Sequence, residues 1–181
     1  MRKRGMIFAA ALLALLLAAV LAPAALAEVT INDTTFPDAT FRDYVKDNFD
    51  TDGDDTLSDA EIAEATKIDV SNRGISDLTG VEYFTALEEL DCGINALTEL
   101  DVSGLTNLYI LDCSSNDLTS LDVSGLTNLN TLDCSFNALT SLDVSGCTAL
   151  QYLYCSSNQL TSLDVSGLTN LHILSCSNNA L

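Results

Sequence analysis

LEELDCGINAL, residues 87–97, returns as LYILDCSSNDL (108–118), LNTLDCSFNAL (129–139), LQYLYCSSNQL (150–160) and LHILSCSNNAL (171–181), always at a step of 21 residues. A unit this short has too little apolar surface to fold alone, so successive units must stack to close a shared core. The period therefore predicts an elongated array with a broad surface rather than a catalytic cleft.

The common pattern, LxxLxLxxNxL, is that of a leucine-rich repeat, with Cys at the sixth position in Cys92, Cys113, Cys134, Cys155 and Cys176. Leu90 and Cys92 facing inward with Asp91 outward is the alternation of a strand, and short parallel strands spaced ~4.8 Å apart form one face of such a solenoid. The expected fold class is an α/β solenoid. Asn95, Asn116, Asn137, Asn158 and Asn179 follow the strands, where the chain turns, and offer donor and acceptor to backbone groups of the next coil. The second half of each unit, clearest as TSLDVSGLTN, returns along the outer side. There Asp101, Asp122, Asp143 and Asp164, each two residues before a Ser, are expected to cap a tight turn. Their spacing does not match the Gly/Asp-rich nonapeptide repeats that build calcium ladders. The array reaches only the eleventh position of its fifth repeat at Leu181, so the chain is expected to continue beyond it.

Working outward, residues 67–86 carry an irregular first repeat and 87–181 the regular array. IDVSNRGISDL, starting at Ile68, places Val70 at the Cys position and Ile75 at the following Leu position. Its convex stretch, Thr79 to Ala86, is one residue longer and brings Tyr83 and Phe84 to cover the core's end. Residues 28–66 form a small helical module. Residues 1–27 have the marks of a signal peptide: Arg2, Lys3 and Arg4, an apolar run from Met6 to Ala22, and Ala25-Leu26-Ala27 before Glu28. A membrane anchor is the competing reading of that run. Cleavage leaves a secreted or surface chain with no membrane insertion, and the lack of a Cys after the site argues against a lipoprotein.

The helical module holds a compact set of oxygen ligands in DTDGDDTLSDAE, residues 50–61. Asp50, Asp52, Asp54, Thr56, Ser58 and Glu61 occupy positions 1, 3, 5, 7, 9 and 12 of an EF-hand-like loop, with Leu57 at position 8. Ca2+ needs several oxygens converging from one turn, and Glu61 at the start of the exit helix can supply two. Phe41, Tyr44, Val45 and Phe49 line one side of the entering helix after Pro37, and Ile62 and Ala65 belong to the exit helix. Asp55 replaces the Gly of position 6, where positive φ is required. Two competing readings are that Ser58 and Glu61 form a capping box and that the acids are merely solvated.

Removing residues 1–27 leaves four basic and 26 acidic residues, a net charge of −22. That balance argues against nucleic acid as a partner, since phosphate binding depends on basic groups. Five of the six cysteines fall where the repeat asks for a buried aliphatic, and Cys147 replaces the Leu of Leu105, Leu126 and Leu168, so they read as buried thiols. Metal binding by this column is the alternative, although zinc and iron–sulfur ligands usually come as close pairs. No catalytic residue is expected: His172, the sole His, is on the outward positions while Cys176 points to the core.

The outward strand face is left as the candidate binding surface, with Tyr109, Phe136, Tyr152 and Tyr154 as aromatic anchors beside the acidic column Asp91, Asp112 and Asp133. The competing view is that these aromatics only shield the sheet. Together, the signal segment, the INDTTFPDATFRDYVKDNFDTDGDDTLSDAEI module and the LTSLDVSGLTNL-type repeats resemble exported, loosely internalin-like leucine-rich-repeat proteins of Gram-positive gut bacteria. The resemblance implies a secreted or cell-surface protein that binds a protein or glycan ligand. The other function left open is an accessory or targeting region of a larger secreted enzyme.

Overall fold

The computed structural model describes residues 28–181; the signal-peptide reading of residues 1–27 lies outside the described residues. Six short parallel strands form one sheet in sequence order: β3 (Lys67–Asp69), β4 (Glu89–Asp91), β5 (Ile110–Asp112), β6 (Thr131–Asp133), β7 (Tyr152–Tyr154) and β8 (Ile173–Ser175). Each strand pairs with the next without a slip, so Asp69, Asp91, Asp112, Asp133, Tyr154 and Ser175 lie in one row. The irregular first repeat thus supplies the sheet's first strand, and its longer return carries a single 3-10 turn at Val81–Tyr83.

The core is a stack of equivalent side chains. Leu90, Leu111, Leu132 and Leu153 are fully buried, as are Cys92, Cys113, Cys134 and Cys155. Cys176 is half-buried, and all six cysteines are free thiols. Burial pushes the thiols of Cys92, Cys113 and Cys134 well above their ordinary range, with neighbouring carboxylates adding to it for all three and neighbouring thiols for Cys113 and Cys134. They act as small apolar groups rather than nucleophiles.

The asparagines behind the strands differ in direction from expectation. They serve the preceding coil and their own, not the next: Asn116 Nδ2 donates to the carbonyls of Cys92 at 3.0 Å and Cys113 at 3.1 Å, while its Oδ1 accepts from Leu97 N at 3.0 Å. The following Asn137 donates again to Cys113 O at 3.0 Å, so one carbonyl is shared by asparagines of two turns. The turn sets the Asn side chain between its own coil and the preceding one, so the earlier coil's groups are in range. On the convex side, Asp101, Asp122, Asp143 and Asp164 each accept from the backbone N–H two residues on at 2.9 Å, the turn caps expected of them. A second asparagine series, Asn107, Asn128 and Asn170, donates to the backbone of the preceding turn.

The N-terminal module closes the open end of this stack. Helix α1 (Ala39–Phe49) starts at the Asp38 cap and buries Phe41 and Val45, with Tyr44 and Phe49 packed beside them. Helix α2 (Asp59–Glu64) starts at Ser58. Strands β1 (Val29–Thr30) and β2 (Thr56–Leu57) add an antiparallel pair that the helical reading did not include. Phe36 is fully buried among Phe41, Tyr83 and Phe84, joining module to first repeat. Among the described residues no helix is long and apolar enough to cross a membrane.

Candidate functional site

The acidic loop between α1 and β2 is shaped by its own backbone. Gly53 and Asp55 adopt φ of 74° and 64°, so the Asp at the sixth position does take the left-handed conformation that its place demands. Asp50 Oδ1 accepts from Gly53 N at 2.8 Å and Asp54 N at 3.1 Å, and Oδ2 accepts from Asp55 N at 3.1 Å. One carboxylate oxygen from each of Asp50, Asp52 and Asp54 lies within 4.8 Å of the other two, a grouping able to hold a hard cation. Thr56 donates its N–H and hydroxyl to Asp54 at 2.8 and 2.7 Å.

Glu61 stands apart from this trio. Its Oε1 accepts from Thr51 N and Oγ1 at 2.7 and 2.8 Å, and its Oε2 from Ser58 N and Oγ at 2.9 and 2.8 Å. The Ser58 oxygen in turn accepts from Glu61 N, completing a capping box. The carboxylate therefore staples the start of the loop to its end. The Ser58 N–H above all, helped by the Thr51 N–H and both hydroxyls, outweighs burial and holds its pKa down at about 2. Its stabilisation is whole above the ordinary value of 4.5 and is lost as the pH falls toward 2.

The outward strand face is the second candidate. The column Asp69, Asp91, Asp112 and Asp133 lies in register at successive strands. Asp91, Asp112 and Asp133 each accept from the N–H two residues on, at 3.1, 2.9 and 2.9 Å. Burial pushes the Asp91 carboxyl up, and the nearby Asp112 and Asp69 add to it. Tyr154 continues the Asp row, and Tyr152 projects from the same strand, its ring 6.4 Å from His172. Tyr109, half exposed, sits two strands away at the edge of the face, and Phe136 lies beyond the end of β6. The structure thus joins Tyr152 to Tyr154 on one strand and sets Tyr109 and Phe136 on its margins.

No basic residue answers these acids within the array, since residues 74–181 contain neither Lys nor Arg. The four cations of the described chain all precede the regular array, with Lys67 on the first strand near Asp69 and Asp91. Arg42 donates to Phe36 O, Lys46 pairs with Asp55, Lys67 pairs with Glu89 at 2.8 Å, and Arg73 lies 5.0 Å over the Tyr44 ring. This one-sided charge was readable in the sequence from the positions of Lys and Arg.

Two depressions lie on the other surfaces, one lined by Asp77, Glu82, Glu99, Asp101 and Asp122 and one by Ile62, Tyr83 and Ala86; neither lining includes a His or Cys. His172 is exposed, with Nδ1 2.5 Å from Asn170 O.

Comparison with known proteins agrees with the fold. Leucine-rich-repeat families match residues 107–129 and, as two copies, residues 148–181. No curated protein sequence matches the chain. The functional domain of InlJ from Listeria monocytogenes, described as including a cysteine ladder, is 43% identical over 84% of this chain, with a TM-score of 0.78. The chain spans 34% of that structure's length. Internalin C2 from the same organism is 29% identical over 86% of this chain and 71% of its own, with a TM-score of 0.75. The chain is a leucine-rich-repeat protein with internalin-like structural neighbours, a class of scaffold that typically binds proteins and is not catalytic.

Proposed function

We propose that this chain is an exported binding module that recognises a protein or glycan ligand on the outward strand face, with a structural calcium ion in its N-terminal module. The observation that carries the reading is the division of labour across the sheet. Inward columns of the regular repeats are uniformly Leu and Cys, whereas the outward positions change from Glu89 and Asp91 to Tyr152 and Tyr154 along a register-locked surface. Variation on an ordered face is what a recognition surface needs. Export rests on the basic, apolar and Ala-Leu-Ala features of residues 1–27.

Binding is tested by screening the full chain against displayed extracellular proteins and glycans. Replacing Tyr152 and Tyr154 together by Ala should weaken the recovered interaction at least tenfold, the loss typical of interface anchors, at unchanged melting temperature. The convex Thr169→Ala should leave it intact. A partner that ignores the double change and responds to Thr169→Ala would place recognition on the other side.

Calcium is supported by the three converging carboxylates of Asp50, Asp52 and Asp54, with Thr56 and Ser58 following in the loop. Glu61 fits less directly, since both its oxygens are already taken by Thr51 and Ser58. When bound, the ion would neutralise the clustered carboxylates. Titration calorimetry should find one site with Kd of roughly 10⁻⁴ to 10⁻³ M, as in extracellular modules. Asp52→Asn should abolish the heat with little effect on folding, and Glu61→Gln should weaken binding and also destabilise the calcium-free chain. Absence of any heat at millimolar calcium would leave the loop as a capped turn only.

A further inference from the structure

The residue before each ladder asparagine has a left-handed backbone, in Ile94, Ser115, Phe136, Ser157 and Asn178, and Asn72 holds the equivalent place before Arg73 in the first repeat, with φ from 54° to 58° throughout. Small polar residues, Asn above all, tolerate this conformation; a β-branched or bulky residue there is a genuine outlier. Ile94 and Phe136 are nonetheless 59% and 63% exposed, so neither recovers the cost by filling the core. Strained residues cluster at binding and switch sites, held there by surroundings that over-determine them. The turns that carry them are locked to their neighbours, Ile94 N donating to Ser114 O and Phe136 N to Ser156 O at 2.9 Å.

These two side chains are two turns apart, with Ser115 between them, which sets them about 9.6 Å apart by strand spacing. A polyproline II segment has three residues per turn and a rise of 3.1 Å, so every third side chain returns to one face about 9.3 Å on. Three residues before each anchor lie Asp91 and Asp133, members of an acidic column whose basic neighbours, Lys67 and Arg73, lie only at its first strand. We propose that Ile94 and Phe136 are paired anchors for an extended, cationic peptide segment of the partner, whose apolar side chains recur every third residue and whose basic side chains face the aspartate column. The proposal rests on the reading of this array as a protein-binding module, and names the chemistry of the partner.

The probe is a synthetic nonapeptide of repeated Leu-Arg-Pro, compared with Leu-Glu-Pro and with a version whose leucines are two residues apart. The full chain should bind the arginine peptide at least tenfold more tightly than either control, less so in high salt. Ile94→Asn with Phe136→Asn should lose that binding while raising the melting temperature by roughly 2–6 °C through relief of strain. Ser115→Asn, in the same row, should leave binding unchanged. Equal binding of the arginine and glutamate peptides, no binding of the arginine peptide, or a fall in melting temperature in the double variant would each overturn the proposal. A partner that responds to Tyr152 and Tyr154 but not to Ile94 and Phe136 would keep the strand face as binding surface and remove these anchors from it.

Discussion

Asn116→Leu is expected to destabilise the chain by about 3 kcal/mol, near the upper end of the cost of leaving a buried polar group unpaired. The apolar replacement is similar in size, so the loss is one of hydrogen bonding. Asn116 is buried, and its Oδ1 accepts from Leu97 N. Its amide also bridges Cys92 O and Cys113 O. Those carbonyls keep a second donor, from Asn95 and Asn137 respectively, so the orphaned Leu97 N–H dominates the cost. Asn116→Asp should be no better, because it retains the acceptor but turns a carboxylate toward two carbonyl oxygens. Equilibrium urea unfolding measures both; a loss below 1 kcal/mol for Asn116→Leu would mean that water readily enters the ladder.

Gly80→Ala should be comparably severe, about 3 kcal/mol or more, for reasons that combine backbone and packing. Gly80 has φ of 104°, outside the range that a residue with a Cβ adopts easily. A Cβ there would lie 2.6 Å from Thr35 O and closer still to the Phe36 ring, which is buried in the joint between module and first repeat. Relief would require the N-terminal module to move off the stack. Gly104→Ala, where a Cβ meets nothing within 4 Å and φ is not positive, is the control. If the two alanines unfold alike in urea, the joint is more pliable than its packing implies.

The solenoid was legible because a 21-residue period repeats its inward residues, and Val70 and Ile75 fell on the same columns in the degenerate first repeat. The α1 face with Phe41 and Val45 was legible from helical spacing. What escaped depended on neighbours distant in sequence. The β1–β2 pair joins residues nearly thirty apart, with only two residues on each side to announce it. Likewise, the EF-hand spacing of Glu61 describes a metal ligand, and the same spacing delivers its oxygens to Thr51 and Ser58. The asparagine direction escaped because the pattern specifies the residue and not toward which neighbouring coil its side chain turns. Positive φ at Ile94 and Phe136 was hidden because their side chains give no hint of it; the Asn and Ser in equivalent positions were the available signal.

The buried aromatic joint has a spectroscopic consequence. Phe36, Phe41 and Phe84, with Tyr44, Tyr83 and Phe49 beside them, all sit at one end, while the buried apolar column from Leu87 onward contains only Leu, Val and Cys. The chain has no Trp. Near-ultraviolet circular dichroism will therefore carry two tyrosine groups, Tyr44 and Tyr83 at the joint and Tyr109, Tyr152 and Tyr154 on the strand face. The phenylalanine fine structure separates the two, because among the described residues Phe36, Phe41, Phe49 and Phe84 belong to the joint and Phe136 alone lies in the later turns.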